Sequence, residues 1–224
     1  MKPVFQRPLL FVLFIATLPF SFGQNIFTEG LKGNIPTVRF NFENPGLKPA
    51  TYEISIDAAG GAEYVTRDEA SAGSDGVHRR FEVSKATRNR IFELTEVLRQ
   101  FRGDYEFRKH RVAFTGHKTL TYTEGAEQYS TRYNWSENRD ITELTAIFQG
   151  IANTLQAEAR LASLRKYDKL GLDAELKSME SQAKGGGLKE LQIISKLLND
   201  IKRDPAVMRM ARDRAERLLQ LAGN

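Results

Sequence analysis

Hydrophobic residues recur at a spacing of three and four in one stretch of the chain and at a spacing of two on both sides of it. Within Ser84–Phe101, Ile91, Leu94, Leu98 and Phe101 fall three or four apart, flanked by Val97. Arg88, Arg90, Glu93, Glu96, Arg99 and Gln100 occupy the remaining positions. The spacing predicts a helix with one stripe turned to a core and the other side to water. Before it, Thr37–Phe42 and Thr51–Asp57 alternate strictly, with Val38, Phe40, Phe42, Tyr52, Ile54 and Ile56 on the apolar side. Ala62–Arg67 and Val77–Val83 continue the alternation, separated by Asp68–Gly76, a Ser-, Gly- and Asp-rich loop. Turns are expected at Asn44-Pro45-Gly46 and Gly60-Gly61.

After the helix and a stop at Gly103, short strands are expected at Tyr105–Phe107 and Arg111–Phe114. Lys118–Thr123 and Gln128–Trp135 form the clearest hairpin. Leu120 and Tyr122 face inward on one arm; Tyr129, Tyr133 and Trp135 share a side of the other. Asp140 is the expected cap of a second helix, marked by Ile141, Leu144, Phe148, Ile151 and Leu155 and running to about Asp168. Beyond Lys169 the alternation is gone. Leu172–Lys184 reads as a short polar helix, Gly185–Gly187 as a flexible break, and Leu188–Lys202 as an amphipathic helix. Asp204-Pro205 then predicts the start of a last helix over Pro205–Leu221, paired with its predecessor as a helical hairpin.

These elements give an α+β fold: an antiparallel sheet covered by two amphipathic helices, with a C-terminal helical hairpin. The expected domains are a signal peptide over 1–23, a sheet domain over 24–168 and a helical segment over 169–224. The signal peptide rests on Lys2 and Arg7, the apolar run Leu9–Phe20, and the small residues Ser21 and Gly23 before a cut after Gly23. That run is too short for a transmembrane span, and no later stretch is apolar enough for one. The protein is therefore expected in the periplasm or secreted, with no transmembrane segment in its mature form.

The 224 residues contain no cysteine, which excludes a disulfide framework and zinc–thiolate chemistry. An exported domain of this length must stand on its hydrophobic core. Cleavage would remove two of the 33 basic residues and none of the 28 acidic ones, leaving a net charge of +3. That is too weak a charge to suggest nucleic acid. It is unevenly spread. His78–Lys118 holds eleven Lys and Arg against five acids, densest at Arg108-Lys109-His110-Arg111. Arg79, Arg80, Arg108, Lys109 and Arg111 are the candidate binding residues, suited to phosphate or carboxylate groups if they share a face. A solvated basic face is the plainer reading of the same run. The corresponding partner is an unknown protein or an anionic envelope polymer.

Two resemblances accompany these patterns. Leu197-Leu198, Asp204-Pro205-Ala206-Val207, Ala211 and Ala215 resemble a single HEAT-type helical unit. Tyr52-x-Ile54-x-Ile56-Asp57, a glycine turn, Tyr64, Phe81 and the helix after it are similar to uncharacterised exported bacterial proteins of strand-and-helix build. Neither implies an activity.

No phosphate-binding glycine loop, HExxH or Gly-x-Ser-x-Gly pattern occurs. The three histidines, His78, His110 and His117, have no accompanying carboxylate spacing that marks a metal or catalytic site. No catalytic residue, metal ligand or cofactor is assigned. The function expected is a non-enzymatic interaction or binding module of the bacterial envelope or exterior. The alternative is a hydrolase with its site between sheet and helix, using His110 or His117.

Overall fold

A computed structural model of the chain describes residues 35–67 and 76–223. The expected signal peptide, and the loop residues 68–75, lie outside the described residues. The alternating segments form β1 (Thr37–Glu43), β2 (Thr51–Asp57), β3 (Gly61–Arg67), β4 (His78–Glu82), β5 (His117–Glu124) and β6 (Glu127–Tyr133). They make one antiparallel sheet in the order β4-β3-β2-β1-β5-β6. The helices are α1 (Lys85–Val97), α2 (Arg139–Tyr167), α3 (Leu172–Lys184), α4 (Ser195–Arg203) and α5 (Arg209–Leu221). The chain is thus an α+β protein.

Period-two alternation gives the sheet one buried face and one open face. Val38, Phe40, Ile54, Ile56 and Leu120 are fully buried, while Arg39, Glu53 and Thr121 stand on the other side. α1 covers the buried face with Ile91 and Leu94, and α2 covers it with Ile141, Leu144, Phe148 and Ile151. Phe148 stacks on Phe40 of the central strand, with ring centroids 5.2 Å apart.

α2 continues past the sheet. Its residues Ala157 and Leu161 enter a second core with Leu172, Leu176, Met179, Leu198, Ile201 and Leu218. The C-terminal helices therefore pack on the far half of α2, and one helix serves both cores. α3 is also tied to α5, where Arg214 reaches Asp173 at 2.7 Å and Glu180 at 3.0 Å.

Several local expectations are corrected. α1 stops at Val97 because Arg99, Gln100 and Phe101 all adopt left-handed backbone, with φ of 52°, 56° and 67°. This turn carries Phe101 into the core. Tyr105–Phe107 and Arg111–Phe114 are irregular rather than strands. Asn138, not Asp140, caps α2; its Oδ1 accepts from the N–H groups of Asp140 and Ile141. Asp140 instead sits in the first turn, where its charge suits the positive end of the helix. The helix expected from Leu188 starts at Ser195, preceded by a 3₁₀ turn over Leu191–Ile194. The last helix starts at Arg209 rather than Pro205, because the Asp204 carboxylate accepts from Ala206 N–H and closes a turn of its own.

Gly185–Gly187 is not a flexible break. Gly187 N–H donates to Gln182 O, Asn153 Nδ2 donates to Gly187 O, and Lys189 N–H donates to Gly150 O. The strap lies so close to α2 that a Cβ on Gly150 would stand 2.4 Å from Lys189 Cγ. It leads into Glu190, whose left-handed backbone (φ 58°) turns its carboxylate back onto the start of α1.

Candidate binding surface

The alternation that turns Leu120 and Tyr122 inward also turns Lys118 inward, at the start of β5. Only 6% of Lys118 is exposed. Burial pulls its ammonium below the ordinary lysine value, opposed by the nearby Glu106 carboxylate. Nζ donates to Thr115 Oγ1 at 3.0 Å, Gly116 O at 2.9 Å and Asn134 O at 2.7 Å. All three ammonium hydrogens are thereby used. The group is a fastening, not a free nucleophile.

Asn134, just past β6, completes the fastening. Its Oδ1 accepts from Thr115 N–H at 2.7 Å and its Nδ2 donates to Ala113 O at 3.0 Å. Its backbone N–H donates to Glu106 Oε2, and Phe107 N–H donates to Trp135 O. Gly116 must be glycine here: its φ is +99°, and a Cβ would lie 2.6 Å from the Phe42 ring. Residues 105–116 thus form an irregular loop whose backbone is held at several points.

The loop displays aromatic and basic side chains together. Phe107 meets Trp135 and His110 edge to face, each at 4.7 Å between centroids, and Phe114 meets His117 at 5.1 Å. Phe114 is 55% exposed and Trp135 42%. Beneath Trp135 lies a cavity of about 270 Å³, lined by Lys118, Tyr133, Ser136, Thr145 and Gln149 among others. Thr145 spends its hydroxyl hydrogen on Ile141 O, so the Tyr133 hydroxyl donates to Thr145 Oγ1 at 2.5 Å. Burial raises the Tyr133 phenol well above its ordinary value.

The expected binding residues divide into two groups. Arg108, Lys109 and Arg111 are exposed on this loop. Arg108 pairs with Asp104 at 2.9 Å and Lys109 with Glu137 at 2.7 Å, while Arg111 has no ion-pair partner among the described residues. Such exposed pairs are worth about 0–1 kcal/mol and open readily to a competing anion. Arg79 and Arg80 lie on β4, at the opposite edge of the sheet from β6 and roughly 24 Å away across the strands. Arg79 turns to the helices and pairs with Glu158 at 3.2 Å; Arg80 turns to the open face and pairs with Glu63 at 3.1 Å. Hydrogen bonds from His78 and Arg80 hold the Glu63 carboxyl below its usual range. The five basic residues do not share one patch.

His110 and His117 are exposed; their rings meet Phe107 and Phe114 and make no side-chain hydrogen bond to any described residue, while Glu43 of β1 stands opposite His117 in the sheet. Among the described residues, no group of three or more His, Asp or Glu is placed to hold a metal ion. No described helix is long and apolar enough to cross a membrane. No protein-family model matches the chain, and no curated protein sequence matches it.

Proposed function

We propose that the protein is a non-enzymatic binding module of the bacterial envelope or exterior, and that the 105–116 loop with Trp135 is its recognition surface. The observation that carries this reading is exposed aromatic and basic side chains on a backbone already fastened by Lys118 and Asn134. Aromatic and arginine side chains supply most of the energy at binding surfaces, and a fixed backbone lowers the entropy lost on binding. Export itself is supported by the sequence of residues 1–23. The hydrolase alternative lacks support in the geometry, since the rings of His110 and His117 hydrogen-bond no described nucleophile or carboxylate and neither lines the cavity beneath Trp135.

The test is binding of the purified protein to sonicated peptidoglycan and to phosphatidylglycerol vesicles, at low and moderate salt. The variants are Trp135→Ala and the charge reversal of Arg108, Lys109 and Arg111 to Glu. Saturable binding weakened about 30-fold by either variant is the expected result, the loss of a strong contact of about 2 kcal/mol. Binding indifferent to both variants overturns the assignment of this surface. Failure to bind either probe removes the anionic envelope polymer as partner.

A further inference from the structure

β6 ends the sheet and pairs only with β5, so one side of its backbone faces away from the protein. Its register is continuous from Glu127 opposite Glu124 to Tyr133 opposite Lys118, across a two-residue Gly125-Ala126 turn. In such a hairpin the pair closing the turn is hydrogen-bonded and bonded pairs then alternate. The N–H and C=O groups of Gln128, Ser130 and Arg132 therefore point outward. All three residues are exposed, and their main-chain groups have no hydrogen-bond partner among the described residues outside the sheet.

Protein edges are normally blunted by proline, bulges or charge. β4 follows that rule, with His78, Arg79, Arg80 and Glu82 in a five-residue strand. β6 does not. From Gln128 to Thr131 it carries no proline, glycine, bulge or charge, and Arg132 is held back toward the sheet by Glu43 at 3.1 Å.

We infer that β6 pairs antiparallel with β6 of a second copy of this chain about a two-fold axis at Ser130. The register follows from the strand itself. Centred on Ser130, the three outward residues of each copy all meet outward residues of the other: Ser130 against Ser130, and Gln128 against Arg132. Six backbone hydrogen bonds form, and each arginine faces an amide carbonyl rather than its own copy. On the core side Tyr129 meets Thr131. Centred on Arg132, the two guanidinium groups would oppose each other, and Asn134 N–H is already committed to Glu106. Centred on Gln128, Arg132 has no strand residue opposite it. The axis runs perpendicular to the sheet, so both buried faces stay on the same side of a twelve-stranded sheet. The edge adjoins the recognition loop at Asn134 and Trp135, but its test reads crosslinks between copies and is independent of the recognition reading.

The chain contains no cysteine, which makes single-cysteine crosslinking unambiguous. Ser130→Cys, Gln128→Cys and Arg132→Cys proteins are mildly oxidised alone and in mixtures, and read on non-reducing gels with one partner size-tagged. Opposed residues of a hydrogen-bonded pair have Cα atoms about 5.5 Å apart, within disulfide reach. Ser130→Cys should crosslink to itself. Gln128→Cys and Arg132→Cys should each stay monomeric alone, being roughly 13 Å from their own copies, and crosslink when mixed. Adding Ser130→Pro to the mixed pair should abolish that crosslink, because proline removes the outward N–H while leaving the β5 ladder intact. A circular dichroism spectrum of Ser130→Pro checks that the fold is kept. The inference fails if Ser130→Cys remains monomeric, or if all three variants crosslink to themselves equally.

Discussion

Glu190 makes a sharp test of how the C-terminal strap is coupled to the sheet domain. Its carboxylate accepts from Ser84 N–H at 2.6 Å, Ser84 Oγ at 2.9 Å and Thr87 Oγ1 at 2.5 Å, and is also bonded by Gln192 Nε2. It thus acts as a cap for α1 supplied from more than a hundred residues away, beside the local cap in which Ser84 Oγ accepts from Thr87 N–H. Hydrogen bonds to a charged acceptor are worth about 1.5–3 kcal/mol each, but here they share one group and a partly exposed site. Glu190→Ala should therefore cost about 2–4 kcal/mol. Glu190→Gly loses the same bonds yet relieves the left-handed backbone at φ 58°, worth about 1 kcal/mol. Gly should be less damaging than Ala here, the reverse of the order at most positions. Urea unfolding at neutral pH measures both. An alanine variant within about 0.5 kcal/mol of the parent, or a glycine variant less stable than the alanine one, refutes the clamp.

Three further outcomes follow from local geometry. Arg99→Gly should raise stability by about 1 kcal/mol, since Arg99 holds φ 52° with its side chain exposed; an unchanged urea midpoint counts against strain there. Gly150→Ala gains helix propensity but pushes against Lys189, and should lose about 1–3 kcal/mol, partly recovered by adding Lys189→Ala. Burial raises the phenols of Tyr52, Tyr64 and Tyr133. A group whose folded pKa lies above its unfolded value stabilises fully below the unfolded value, so stability should fall once the pH passes about 10. Each such phenol should add a slope of about 1.4 kcal/mol per pH unit. Phenolate absorbance should stay low for these tyrosines until unfolding; early ionisation of all seven tyrosines contradicts their burial.

The regular parts of this fold were legible because each is decided by its own neighbours. Strict alternation through Val38, Phe40 and Phe42 decides which face of β1 is buried, and the stripe Ile91, Leu94 and Leu98 decides which face of α1 meets it. Apart from helix ends shifted by local caps and turns, the misread parts depend on residues far away in sequence. The glycines at 185–187 look mobile until Asn153 of α2 binds Gly187 O and Gly150 O takes the N–H of Lys189 just beyond them. The 105–116 loop has no period, and its shape is set by Lys118 and Asn134. The basic run looked like one surface because its charges are near in sequence. The sheet puts Arg79 and Arg80 at one edge and Arg108, Lys109 and Arg111 beside the other. Lys118 alone carried a local sign, its place two residues before Leu120 on the inward side of β5.

That lysine also separates the shape of the recognition surface from its charge. Lys118→Met keeps the stem but removes the ammonium, leaving Gly116 O without its side-chain donor in a buried place and Asn134 O with only the Thr115 hydroxyl. The expected loss is about 2–4 kcal/mol, with faster amide exchange at Thr115 and Phe107 before exchange rises in β1. Every exposed side chain of the loop remains. If recognition needs only the charges of Arg108, Lys109 and Arg111, binding to an anionic probe should stay the same in the folded variant. If it needs the loop held in one shape, affinity should drop several-fold, because ordering even one or two residues costs about 1–2 kcal/mol each. Unchanged affinity in a variant shown to exchange faster at Thr115 would rule out a role for the fastening in recognition. It would leave Lys118 as a purely structural residue.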